Sequence, residues 1–209
     1  LIIYYQKEHI CIVIKLWIFN KRMKNTDKNK LEIEKALKLI QNSSFKEAIN
    51  LLKKLTENNS YDFRSYYLLG ISYLKLSKLD IAENNFRKSI ELNDRASSLY
   101  HNLGITLSLK NNFEESNFFL LKSLELDPNN IEAIIEIARN FDLMKNFADA
   151  KKNYQKALSV DPKNKIASNL LGRMLLNNGY HKEGLEYLKK SSGLIRFNEK
   201  KLEILKWED

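Results

Sequence analysis

A single cysteine, Cys11, excludes an internal disulfide, and the composition suits a reducing compartment. The three histidines, His9, His101 and His181, stand in different regions of the chain. Neither a metal cluster nor a Cys-His nucleophile pair is indicated, and the reading is of a protein without cofactor and without catalytic residues. Two prolines and six glycines in 209 residues are too few for the many turns of an all-β fold, so long helices with short connections fit better. A Gly-rich phosphate loop is missing as well. What the chain does have is 44% hydrophobic and 29% charged residues, the balance of a folded soluble protein with enough length to bury a substantial core.

The formal net charge is +9, of which residues 1–28 carry +4 and the remainder +5. In the remainder Lys and Glu alternate along the chain, as on a solvated helix surface. Nucleic-acid binding requires a clustered basic face with interleaved aromatics. Neither is present, so nucleic acid is not an expected partner.

The stretch "HICIVIKLWIFNKRMKN" raises the question of a membrane. A spanning helix needs about 20 mostly apolar residues, and here Lys7, Glu8 and His9 precede the run while Lys15 interrupts it. No small-residue cleavage site follows Phe19, against a signal peptide. The first residue is Leu, and the local composition is one that A+T-rich codons produce. The preferred reading is that residues 1–22 are translated upstream sequence and Met23 is the true start. An uninserted extension ranks second and a membrane anchor third, so the expected location is cytoplasmic.

The two prolines, Pro128 in "LELDPNN" and Pro162 in "VDPKN", lie 34 residues apart. Frames of 34 from Asn29 give five gapless blocks: 29–62, 63–96, 97–130, 131–164 and 165–198. In each, apolar residues follow helical spacing twice around a polar break, so each block reads as helix, turn, helix. The first helix carries a small residue at Ala36, Gly70, Gly104, Ala138 and Gly172. A larger side chain there is expected to overpack the partner helix, at about 1–3 kcal/mol. The second helix places Ala48, Ala82, Ser116, Ala150 and Gly184 at the crossing. Four residues later, on the same face, come Leu52, Phe86, Leu120, Tyr154 and Leu188 to fill the gap.

The order Tyr66, Leu69-Gly70, Tyr73, Ala82, Phe86, repeated as Tyr100, Leu103-Gly104, Leu107 and closed by Pro128, resembles the tetratricopeptide repeat, whose period is 34 residues. The resemblance covers residues 29–198. It implies an all-α fold, a right-handed α-solenoid superhelix of five helix-turn-helix repeats, in which first helices line a concave groove that binds a protein or peptide. Carried over position by position, the groove-facing residues are Ile33 and Leu37; Tyr67, Ile71 and Lys75; His101, Ile105 and Ser108; Ile135, Arg139 and Asp142; Asn169 and Arg173. Apolar character early and two arginines late suggest a ligand with an acidic group near Arg139 and Arg173. The alternative is that Arg139 pairs with Asp142 or Glu136 on its own helix. Ile33, Leu37, Tyr67 and Ile71 occupy the places where some family members carry a carboxylate clamp, which disfavours a chaperone-tail receptor. Leu55, in place of Ser89, Ser123, Ala157 and Ser191, marks the first repeat as atypical. His181 and Gly184 mark the fifth as the loosest.

After the fifth block, "GLIRFNEKKLEILKWED" leaves the pattern. A C-terminal capping helix is expected over 199–207, with Leu202, Leu205 and Trp207 covering the last repeat; alternatively 199–209 begin a further region. Two functions follow. One is a protein-interaction scaffold. The other is the repeat portion of a larger enzyme, such as a sulfotransferase or glycosyltransferase.

Overall fold

The structure, a computed structural model, describes residues 29–58, 62–192, 196–198 and 201–205. The expectations for residues 1–28, including a start at Met23, lie outside the described residues. Consecutive helices alternate with short turns: α1 (29–41), α2 (Phe45–Asn58), α3 (Phe63–Lys75), α4 (Leu79–Leu92), α5 (Ser97–Leu109), α6 (Phe113–Leu126), α7 (Ile131–Leu143), α8 (Phe147–Val160), α9 (Lys165–Asn177) and α10 (His181–Ser192). The chain divides after Asn93 into two compact units.

In the N-terminal unit α2 packs on α3 and α3 on α4. The small residues do what their spacing predicts. A methyl group added at Gly70 would lie 2.5 Å from the ring of Phe86, which is fully buried beneath it. Ala36, Ala48 and Ala82 are fully buried, and so is Leu52. Burying a side chain of that size contributes about 1.5–3 kcal/mol. Ser89 donates from its hydroxyl to the Phe63 carbonyl (2.8 Å), tying the end of α4 to the start of α3. Leu55, at the matching place in α2, is buried and has no hydroxyl to give.

In the C-terminal unit α5 pairs with α6, α7 with α8 and α9 with α10, while α6 meets α7 and α8 meets α9. A core of Ile134, Ala138, Ala150, Tyr154, Leu171 and Leu175 joins α7, α8 and α9. Gly184, read from the sequence as a weakness, has a packing role. Methyl groups built on Gly172 and Gly184 would each lie 2.8 Å from the other's carbonyl oxygen, so the backbones of α9 and α10 touch there.

Two local devices recur with the period. The turn after each first helix passes through a left-handed residue: Ser43 (φ 60°), Ser77 (56°), Asn111 (63°), Lys145 (62°) and Gly179 (83°). The next amide then bonds back to a carbonyl five residues earlier, as in Lys78 to Tyr73 (2.9 Å), Asn112 to Leu107 (2.9 Å) and Asn146 to Phe141 (2.8 Å). This is the Schellman geometry, which satisfies helix-end carbonyls. At the other boundary, Asn130 and Asn164 cap α7 and α9 by accepting from Ala133 N and Ala167 N, both at 3.0 Å. The two Asp-Pro turns therefore end one helix pair and cap the next.

The tail differs from expectation. In place of a capping helix, Lys201–Leu205 (β2) is extended and pairs antiparallel with Arg196–Asn198 (β1), with an irregularity between Phe197 and Asn198. Leu202 and Ile204 alternate with Lys201 and Glu203, a period-two pattern. So short a segment gains too few helical hydrogen bonds to repay nucleation, whereas a paired strand satisfies its backbone groups.

Candidate functional site

The residues carried over as groove-facing do not share one environment. In the N-terminal unit, Ile33 is buried, with 6% of its surface exposed, and belongs to the core, while Leu37 on the same helix is 41% exposed. Tyr67 and Ile71 on α3 are half-buried and Lys75 is exposed. The Tyr67 ring leans on Phe86, with centroids 6.0 Å apart.

In the C-terminal unit, α5, α7 and α9 place His101, Ile105, Arg139, Asp142 and Asn169 half-buried, and Arg173 exposed. Ser108 and Ile135 are buried. Ser108 is consumed by a network unforeseen in the sequence. Its hydroxyl donates to Asn140 Oδ1 (2.6 Å), while Asn140 Nδ2 donates to Ser116 Oγ and to Asn117 Oδ1, both at 2.8 Å. Ser116 in turn donates to the Gly104 carbonyl (2.7 Å). Asn140 is fully buried, and these bonds join α5, α6 and α7. The signal for it was thin: an Asn inside an apolar helix.

Arg139 pairs with Glu136 on its own helix (3.2 Å), the local alternative foreseen for it. Burial pushes the Glu136 carboxyl above the usual carboxylate range, and the Arg139 charge opposes that shift. Burial also raises Asp142, against Lys145. The buried Tyr154 hydroxyl makes no hydrogen bond among the described residues, and burial raises it far above an ordinary phenol, so it stays neutral. Burial lowers His101, against the opposing charge of Glu132, and its Nε2 is likewise unpartnered.

On the first helices of the C-terminal unit, three exposed apolar residues escaped the sequence reading: Leu109 (57% exposed), Leu143 (53%) and Ile166 (61%). Leu109 and Leu143 are 34 residues apart, the last residues of α5 and α7, a position that looks like mere helix end in sequence. Ile166 rims a recess of about 300 Å³ that is also lined by Arg139, Lys165, Asn169, Leu170 and Ser191. Lys165 and Arg173 have no ion-pair partner, and the Asn169 amide no hydrogen bond, among the described residues. Within those residues, no group of three or more His, Cys, Asp and Glu side chains is placed to hold a metal. No helix there is long and apolar enough to cross a membrane.

Paired helices repeating every 34 residues, with a small-residue crossing in each pair, define a helical-repeat protein of the α-solenoid class. The chain belongs to the tetratricopeptide-repeat family: profiles described as tetratricopeptide repeat match residues 63–95, 97–130 and 137–192. No protein with a curated description matches it in sequence. Among solved structures, it is similar to MamA (41-end) from Desulfovibrio magneticus RS-1, at 22% identity and TM-score 0.73 over 80% of this chain and 95% of that one. It is also similar to PilF from Pseudomonas aeruginosa, at 18% and 0.71 over 81% and 78%. A third is YrrB, described as a TPR protein with an unusual peptide-binding site, at 21% and 0.64 over 77% and 82%. At these identities the neighbours establish the fold. In outline, repeats of this family make the chain a protein-interaction scaffold.

Proposed function

We propose that the chain binds a peptide or protein segment along the exposed faces of its first helices, with α5, α7 and α9 forming the principal surface. The observation that carries this is the set of large apolar side chains left in solvent on those helices, Leu109, Leu143 and Ile166, beside half-buried Ile105 and the polar Arg139, Asn169 and Arg173. Large apolar side chains left in solvent beside polar groups are what a binding surface offers. Ser108, through its bond to Asn140, and Ile135, by packing, act from beneath, and Ile33 belongs to the core of the N-terminal unit. Leu37, Tyr67 and Ile71 offer a separate face on the N-terminal unit. YrrB's peptide-binding site supports a peptide as ligand class. No observation favours the reading as the repeat portion of a larger transferase.

The test is selection of twelve-residue peptides from a displayed random library on the full chain, followed by affinities for Leu143→Arg with Ile166→Arg and for Phe118→Arg on α6. Loss of binding in the first variant and retention in the second is expected. Binding that survives in the first variant and is lost with Phe118→Arg would move the surface to the second helices and refute the proposal.

A further inference from the structure

The C-terminal unit distributes charge unequally among its first helices. Helix α5 carries no Asp, Glu, Lys or Arg, α7 carries three acids and one arginine, and α9 carries Lys165 and Arg173 with no acid at all. The arginine of α7 is already partnered by Glu136. Lys165 and Arg173 are not paired among the described residues. Between them stands Asn169, whose amide is also free of hydrogen bonds there. Lys165, Asn169 and Arg173 follow one another at four-residue steps on one broad face of the helix. The recess beside them is lined by Ile166 and Leu170 as well as Arg139, so an apolar floor lies next to the cations.

We infer that this α9 face is an anchor for an acidic, extended peptide segment carrying two carboxylates three or four residues apart with an aliphatic residue between them. The spacing follows from geometry. Eight helical residues span about 12 Å at 1.5 Å each, and an extended peptide covers that length in three to four residues at about 3.3 Å each. The intervening side chain is delivered to Ile166 and Leu170. The Asn169 amide, with both a donor and an acceptor, matches a peptide backbone between the two charged contacts. Arg139 contributes through a partner exchange, releasing Glu136 (3.2 Å) when a ligand carboxylate arrives. Unpaired cations also disfavour a cationic peptide, which adds to the selection for an acidic one.

This inference rests on the binding surface proposed above, and the test separates the two. Peptides selected from the random twelve-residue library on the full chain are sequenced and their affinities measured at low and high salt. The same measurements follow on Lys165→Glu with Arg173→Glu, and on Lys165→Gln with Arg173→Gln. Both sites are exposed, and circular dichroism checks that the helices persist. The expected result is enrichment of acidic pairs at that spacing. Affinity should fall at least fivefold in the Gln variant and further in the Glu variant, with weaker binding at higher salt. Peptides that lack acidic pairs and bind all three proteins equally, yet lose affinity with Leu143→Arg and Ile166→Arg, would overturn the acidic anchor and leave the surface standing. A library yielding no peptide sensitive to any of these substitutions would overturn both.

Discussion

Gly172→Ala puts the repeat packing to a quantitative test. The added methyl would lie 2.8 Å from the Gly184 carbonyl oxygen and 2.9 Å and 3.0 Å from Leu188 Cγ and Cδ2. Alanine favours a helix over glycine by about 1 kcal/mol, and overpacking costs about 1–3 kcal/mol, so the expected net loss is about 0–2 kcal/mol. Its origin can be resolved further. At Gly104 the nearest atoms are Leu120 Cγ and Cδ2, at 2.6 Å and 2.8 Å, with the Ser116 carbonyl oxygen at 3.3 Å. Truncating Leu120 to Ala should therefore relieve most of the Gly104→Ala penalty. Truncating Leu188 should leave much of the Gly172→Ala penalty, because a backbone oxygen has no rotamer to retreat into. Because repeat stability is set by neighbouring contacts, the effect should be read locally, as hydrogen exchange of the α9 and α10 amides in each cycle. A Gly172→Ala protein stabilised by the full helix-propensity gain, or equal relief in both cycles, would refute the claim that α9 and α10 meet backbone to backbone.

Three other expectations can be checked by urea or thermal unfolding. Asn140→Ala should cost about 2–4 kcal/mol and Asn140→Leu about 1–3, because both strand the buried Ser108 hydroxyl and Asn117 Oδ1; a neutral Leu variant would mean the network is dispensable. Lys145→Gly should stabilise by up to about 1 kcal/mol and Gly179→Ala should destabilise by a similar amount, since φ is 62° and 83° at these residues; opposite signs would refute the turn geometry. For His101, burial depresses the folded-state value below the ordinary 6.5, so the stability tied to its neutral form is complete above that pH and is lost as pH falls through the depressed value. The stability difference between wild type and His101→Gln should therefore shift against wild type between pH 7 and 5, and a flat difference would place the ring in water.

Much of this fold is written in spacing. Glycines and alanines recurring every 34 residues are legible because the closest point of a helix crossing tolerates little else, and the structure places Gly70 against Phe86 and Gly104 against Leu120 accordingly. Most of the left-handed turn residues were not legible. Gly179 and Asn111 carry residue types that signal such a conformation, while Ser43, Ser77 and Lys145 are held there by the Schellman bonds of helices that packing stabilises. The tail was misread because helical and alternating patterns cannot be told apart over so few residues.

The surface follows the same division. The amino-acid sequence by itself determined the period and the helix pairs, since these depend on residue size and polarity at fixed intervals, while the candidate binding face was assigned to the first helices through the family resemblance. Tertiary structure decided which of those side chains remain available. Ile33 and Ile135 are drawn into the core, Ser108 is tied to Asn140, and Arg139 is paired with Glu136, whereas Leu143, Ile166, Lys165 and Arg173 stay open. A helical position fixes only the direction of a side chain. What that side chain meets depends on the neighbouring helix, set by contacts many residues away.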